Sequence, residues 1–152
     1  MRISSPAFQH GEPIPEKYSR AGDDRTPPLE FEGAPPEARS LVLVMDDPDT
    51  SHGTFTHWIV FNIDPATRGF RENDAPEEVR FGCNDWGEAD YGGPRPPNGE
   101  HRYFFRLYAL DCRLTLPNGA SRRELEQAME GHVVANAETM GTFAAPGVSV
   151  PR

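Results

Sequence analysis

Three groups of polar residues sit beside apolar runs in a way that could support chemistry. The first is Asp46-Asp47-Pro48-Asp49, at the exit of the aliphatic run Leu41 to Met45. A carboxylate run in a loop is most often solvated surface. Pro48, however, fixes the local backbone and therefore where Asp47 and Asp49 point. The second is His57, embedded in the apolar stretch Phe55 to Ile63, where the ordinary role of a histidine is that of a hydrogen-bonded core or edge residue. The third is His101-Arg102-Tyr103, whose i, i+2 spacing puts His101 and Tyr103 on one wall of a strand. Between them lies Asn84-Asp85-Trp86-Gly87, followed by Tyr91-Gly92-Gly93-Pro94-Arg95-Pro96-Pro97. Gly92 and Gly93 would let backbone N–H groups approach a ligand as an anion-accepting nest, and the prolines would stiffen the loop.

Two imidazoles, two carboxylates and a phenol admit more than one chemistry. They could ligate a divalent metal. They could equally form an anion pocket, with the carboxylates holding the imidazoles in one tautomer, or charged, while ring N–H groups and Tyr103 donate. In a third version His57 or His101 is a general acid–base oriented by Asp47 or Asp49. There is no H-E-x-x-H and no G-x-S-x-G element, and neither Cys83 nor Cys112 adjoins a histidine in sequence. Spacing alone leaves these alternatives open.

The elements that must position these groups are mostly strands. Ser40–Met45 has the composition of a strand buried on both faces, and Phe55–Ile63 is rich in aromatic and β-branched residues. Arg102–Leu110 puts Tyr103, Phe105, Leu107 and Ala109 on one face and Phe104, Arg106, Tyr108 and Leu110 on the other. Leu29–Glu32 and Arg113–Leu116 read as shorter strands. One helix stands out: Ser121 and Glu124 make a capping box, and Leu125, Met129, Val133 and Ala137 recur every four residues as one apolar stripe. Asn118-Gly119 is the turn leading into it. The expectation is one mainly β domain over residues 1–152, with helical decoration towards its C-terminal end.

Composition excludes several classes. The 152 residues carry 15 basic and 24 acidic side chains, a formal charge of −9, with no basic run. Such a domain has no electrostatic footprint for nucleic acid or an anionic membrane surface. The longest aliphatic run is far too short to span a bilayer, and the first residues lack the apolar stretch of a secretory signal. The two cysteines form no C-x-x-C unit and suggest neither a zinc site nor a disulfide framework. The expectation is a cytoplasmic protein without metal or cofactor.

The ordered set of motifs resembles the phosphatidylethanolamine-binding protein family, in its bacterial and archaeal Raf kinase inhibitor-like branch. The matching pieces are Ser5-Pro6-Ala7-Phe8, Pro27-Pro28-Leu29, Asp47-Pro48-Asp49, His57-Trp58, Asn84-Asp85-Trp86-Gly87, Tyr91-Gly92-Gly93-Pro94, Pro96-Pro97, His101-Arg102-Tyr103, Leu107 to Asp111 and Gly131-His132-Val133. The resemblance implies a β-sandwich-like core of largely antiparallel sheets, one or two peripheral C-terminal helices and a small, solvent-accessible anion pocket. Asp47, Asp49, His57, His101 and Tyr103 match the pocket residues, and Gly92, Gly93 and Pro94 match its rim. Two departures stand out, since Arg20 and Arg95 occupy positions where family members often carry cysteine. Turned inward, Arg95 adds a forked donor for an oxyanion; turned outward, it is a solvated rim charge. The extra C-terminal region linked to regulation in animal members has no counterpart, so kinase inhibition is not carried over.

The reading that follows is a binding module for a small phosphorylated or anionic ligand, with the protein partner unidentified and a homodimer left open. The competing readings are a metal-dependent or His/Asp acid–base hydrolase, and an inhibitor of a kinase or protease. The last would present an apolar patch around Tyr91 and Trp86. In the binding reading the carboxylates should push the histidine pKa values upward.

Overall fold

The structure is a computed structural model, and it describes residues 1–74, 76 and 78–145. Its elements follow the chain as β1 (Arg2–Ser4), a 3-10 turn (Glu16–Tyr18), β2 (Leu29–Glu32), β3 (Ser40–Thr50), β4 (Gly53–Ile63), β5 (Gly69–Phe70), β6 (Arg80–Phe81), β7 (Glu100–Leu110), α1 (Arg122–Met129) and β8 (Val133–Ala144). The strands form two antiparallel sheets, one ordered β1-β2-β5 and the other β6-β4-β3-β7-β8. The fold is mainly β, as expected.

The large sheet owes its two covered faces to β3. Leu41, Leu43 and Met45 face the small sheet and pack with Ile3, Phe31, Phe70, Trp58, Phe105 and Leu107. Val42 and Val44 face the other way, against Leu125 and Met129 of α1. Burial of each such aliphatic side chain contributes about 1.5–3 kcal/mol, and pairing with β4 on one side and β7 on the other makes the run Leu41–Met45 a central strand. The second face of β7 is less enclosed: Leu110 is buried, while Phe104, Arg106 and Tyr108 are half-buried.

Four sequence expectations need correction. First, Asp46-Asp47-Pro48-Asp49 does not lie in a loop; β3 continues through it to Thr50. The proline is tolerated because pairing with β7 stops at Asp46, and the ladder to β4 is irregular between Asp47 and Thr50. Second, the helix is shorter than the apolar stripe. The capping box forms as expected, with Ser121 Oγ accepting from Glu124 N at 3.1 Å and Glu124 Oε1 accepting from Ser121 N at 3.0 Å. The helix ends at Met129, Gly131 turns the chain at φ 81°, and Val133 and Ala137 belong to β8. A spacing of four fits the helical repeat and also places residues on one face of a strand, so the stripe could not separate the two. Third, the strand β8, Val133–Ala144, has no counterpart among the expected elements.

Fourth, Arg113–Leu116 makes no strand. The Asn62 side chain replaces a ladder there: its Nδ2 donates to Leu114 O at 2.7 Å, and its Oδ1 accepts from Leu114 N at 2.8 Å. Asn62 itself is the extra residue of a bulge in β4, at φ 55°.

Candidate functional site

A second bulge in β4 builds the site. Met45 of β3 pairs with Trp58, and the next residue, Asp46, pairs with Thr56, so His57 is an inserted residue. A bulge re-aims a side chain that strict alternation would send elsewhere. His57 thereby lies edge-on to the Tyr103 ring, with centroids 5.2 Å apart, on the Tyr103 side of the sheet. Its outer neighbours are Phe55 at 5.0 Å and Trp86 at 4.9 Å, both also edge-on.

Asp47, on β3, and His101, on β7, meet on the same face. His101 Nδ1 donates to Asp47 Oδ2 at 2.6 Å, and Asp47 Oδ1 accepts from Asp49 N at 2.8 Å. Asp47, His57, His101 and Tyr103 are all buried, with exposures of 2, 3, 6 and 0%. The structure therefore brings these four together, but as a nearly closed cluster rather than an open pocket. Surface clefts of about 630, 470 and 450 Å3 all lie elsewhere.

Asp49 is adjacent but differently engaged. Its carboxylate accepts from Arg102 N, Nε and Nη2 at 2.8–2.9 Å, a clamp between the end of β3 and the start of β7. Those bonds hold its carboxyl below the usual carboxylate range.

The loop glycines act otherwise than expected. Gly92 N donates to His57 O at 3.1 Å, and Gly93 N donates to Asp24 Oδ1 at 2.8 Å, so both N–H groups are taken and no free nest forms. Glycine is needed there for close approach: a Cβ on Gly92 would collide with the Trp86 ring, and one on Gly93 with the Tyr18 carbonyl. Gly92 contributes its carbonyl instead, which accepts from His57 Nδ1 at 2.7 Å. Pro94 O accepts from Arg20 N at 3.1 Å and ties the rim to the body. Asn84 organises the preceding loop, its Oδ1 accepting from Trp86 N and Glu88 N while Nδ2 donates to Asp90 O. Nothing in the local sequence marks Asp24 as a partner of this loop.

These ties fix the tautomers. A carbonyl and a carboxylate accept only, so both histidines carry a proton on Nδ1, and each Nε2 is without a hydrogen bond among the described residues. Burial pushes the His57 pKa below the ordinary imidazole value, overriding the opposing pull of the Gly92 carbonyl and Asp47. The expectation that carboxylates raise it is corrected for His57: desolvation wins. Burial, reinforced by the Asp47 charge, pushes the Tyr103 phenol far above its usual value. Among the described residues the buried Tyr103 hydroxyl has no partner at hydrogen-bonding geometry, although the Asp47 carboxylate and the Arg95 backbone lie close enough to act on it.

With that geometry in place, the comparison with known proteins decides the lineage. The family model described as phosphatidylethanolamine-binding protein matches residues 4–144. The chain belongs to the phosphatidylethanolamine-binding protein family. It is 46% identical over 148 residues to the UPF0098 protein of Methanothermobacter thermautotrophicus, covering 94% of this chain and 98% of that one. It is 47% identical over 151 residues to UPF0098 protein PH1269 of Pyrococcus horikoshii, covering 94% and 76%. A phosphatidylethanolamine-binding protein homologue from Chlamydia trachomatis superimposes with a TM-score of 0.89 at 43% identity, over 93% of this chain and 95% of that one. The Escherichia coli protein YbcL shares the fold, with a TM-score of 0.87 at 23% identity, over 94% and 97%. Membership of the phosphatidylethanolamine-binding protein family supports a ligand-binding or regulatory role in general terms.

Arg95 is exposed, so it is a rim charge. Arg20 lies over the Trp86 ring at 3.8 Å and pairs with Glu88 at 3.1 Å. The apolar patch expected of an inhibitor is not formed by Tyr91 and Trp86. Tyr91 is buried, its hydroxyl donating to Tyr18 O at 2.6 Å, and Trp86 is half-covered beneath Arg20. Among the described residues no helix is long and apolar enough to cross a membrane.

Proposed function

We propose that this chain is a binding protein whose Asp47, His57, His101 and Tyr103 cluster takes up a small anionic group of the phosphate type, with Gly92, Gly93 and Pro94 as its rim and Asp49 as a brace. The observation that carries this reading is the Tyr103 hydroxyl, a fully buried donor without a hydrogen bond among the described residues, beside an imidazole whose Nε2 is likewise unbonded among them. A buried polar group left unpaired costs about 1–3 kcal/mol. A ligand oxygen accepting from it would recover that cost. Asp47 holds the His101 ring, and the Gly92 carbonyl holds the His57 ring, so neither must be ordered on binding.

The protonation state sets the pH dependence. Buried His57 presents a lone pair at Nε2 when neutral, which repels an oxyanion. Binding therefore takes up a proton, because the bound anion raises the His57 pKa from its lowered value. Affinity must rise as pH falls through the ordinary imidazole range and level off below the lowered value of the free protein. Calorimetric titration with sulfate, whose charge is fixed across this range, separates this from titration of phosphate itself. Repeating it in buffers of different ionisation enthalpy should show net proton uptake. Affinity for sulfate, inorganic phosphate and phosphoethanolamine that is immeasurable throughout would sink the reading.

The 2.6 Å contact between Asp47 and His101 also favours a second reading, acid–base catalysis, since a carboxylate on Nδ1 orients an imidazole base. The hydroxyl on hand is the Tyr103 phenol, whose ionisation burial opposes, which makes it a poor nucleophile. Turnover of phosphoester, ester or peptide substrates that disappears in His101→Ala would establish this second reading in place of the first.

A further inference from the structure

At the opposite end of β7 from His101, three donors of different chemistry converge. Asp111 and Cys112 leave β7, and His132 enters β8 after the turn at Gly131. One ligand atom from each, a carboxylate oxygen, a thiol sulfur and an imidazole nitrogen, lies within 4.8 Å of the others. The His132 and Asp111 side chains are 46 and 45% exposed, while Cys112 is half-buried.

The backbone that carries these donors is already fixed. Leu110 pairs with Val133 beside a bulge, which sets the two strand ends side by side. Asp111 N donates to His132 O at 3.0 Å, His132 N donates to Met129 O at 2.9 Å, and Ser40 Oγ donates to Cys112 O at 2.6 Å. Thus the three side chains need only small rotations to close on an ion.

We propose that Asp111, Cys112 and His132 form a site for a divalent transition metal of the zinc type. Thiolate, imidazole and carboxylate together are the donor set that Zn2+ accepts, whereas Mg2+ and Ca2+ call for oxygen alone. Bond lengths of 2.0–2.3 Å in a tetrahedral complex separate the donors by about 3.3–3.8 Å. His132 Nδ1 and Asp111 Oδ1 are 2.7 Å apart across a shared proton, and an ion replacing that proton moves them apart by roughly half an ångström. Three protein ligands leave one position, which faces solvent and takes water. A surface ion pair alone would contribute little and would not account for the thiol in the same cluster. The nine residues of β7 between His101 and Asp111 span about 30 Å, so this site is independent of the anion reading.

The test uses Co2+ as a spectroscopic stand-in on the full chain. A Co2+–thiolate bond gives a near-ultraviolet charge-transfer band, and Zn2+ should bleach it by displacement. We expect one Co2+ per chain with that band in the unmodified protein, in Cys83→Ser and in His101→Ala. Cys112→Ser should abolish the band, and His132→Gln should weaken binding about tenfold or more. Circular dichroism melting of each variant separates loss of a ligand from loss of the fold. No thiolate band in the unmodified protein would overturn the proposal. So would a band that survives in Cys112→Ser, or one that follows Cys83 or His101 instead.

Discussion

Asp46 and Asp47 are consecutive, both aspartates and both buried, at 1 and 2% exposure, yet they face opposite sides of the large sheet and have unlike partners. Asp46 accepts from Arg106 Nε at 3.0 Å and from Arg122 Nη1 at 3.1 Å, and Arg122 also donates to Thr56 Oγ1. Asp47 accepts from His101 and from a backbone N–H. A guanidinium stays charged at any physiological pH, so the Asp46 side is a permanent bracket joining β3, β7 and α1. The His101 ring uses only Nδ1 on Asp47, and its Nε2 is without a hydrogen bond among the described residues, so the Asp47 side keeps a contact available to a ligand. Identical residues at equal depth are thus divided between holding the fold and serving a site, and the partner makes the division.

The largest expected effect comes from breaking the permanent side. Asp46→Ala leaves two arginines facing each other without a counter-charge, and breaking a pair of this kind costs about 3–5 kcal/mol when fully buried. Both arginine side chains are 26% exposed, so urea unfolding should show a loss near the lower end, about 3 kcal/mol. Sulfate affinity of the protein that remains folded should be unchanged.

His101→Ala should act on both properties. It removes the imidazole that Asp47 orients towards the ligand, and affinity should fall by about 1.5–3 kcal/mol, the scale of a charge-assisted contact. It also strips Asp47 of one partner while the Asp49 N–H remains, and stability should fall by about 1–2 kcal/mol, less than for Asp46→Ala. A stability loss equal to that of Asp46→Ala, with sulfate affinity intact, would erase the distinction between the two faces.

Tyr103→Phe should have the smallest and most telling effect. It deletes an oxygen that has no hydrogen bond among the described residues, so stability should hold or improve by up to about 1 kcal/mol, while sulfate affinity weakens by about 1 kcal/mol. Opposite signs for stability and affinity from one atom are what a donor held ready for a ligand produces. If thermal melting shows a clear loss instead, the hydroxyl has an internal partner and the binding argument loses its main support.

By itself, the sequence determined the central strands, because the runs around Leu41, Phe55 and Phe105 are too apolar to be anything but interior β-structure. The start of α1 was legible in the Ser121 and Glu124 capping box, which acts within four residues. That His101 and Tyr103 share a wall was also legible, since strand alternation is a local property. Only the tertiary structure decided how those residues are used. The bulge that aims His57 exists because β4 supplies Thr56, His57 and Trp58 where β3 pairs only Asp46 and Met45, which no single strand reveals. The neutral state of His57 follows from desolvation by rings contributed by β4, β7 and the Trp86 loop. The paired Gly92 and Gly93 N–H groups depend on Asp24 and on the β4 backbone. The stripe that joined Leu125 to Ala137 hid β8, because a period of four satisfies both helix and strand, and Gly131 with the free edge of β7 settled the matter. Asp111-Cys112 and His132 are separated in sequence by the whole of α1 and meet only because β7 and β8 pair. Local pattern records which residues must be buried; the partner that meets each of them is a property of the closed sheet.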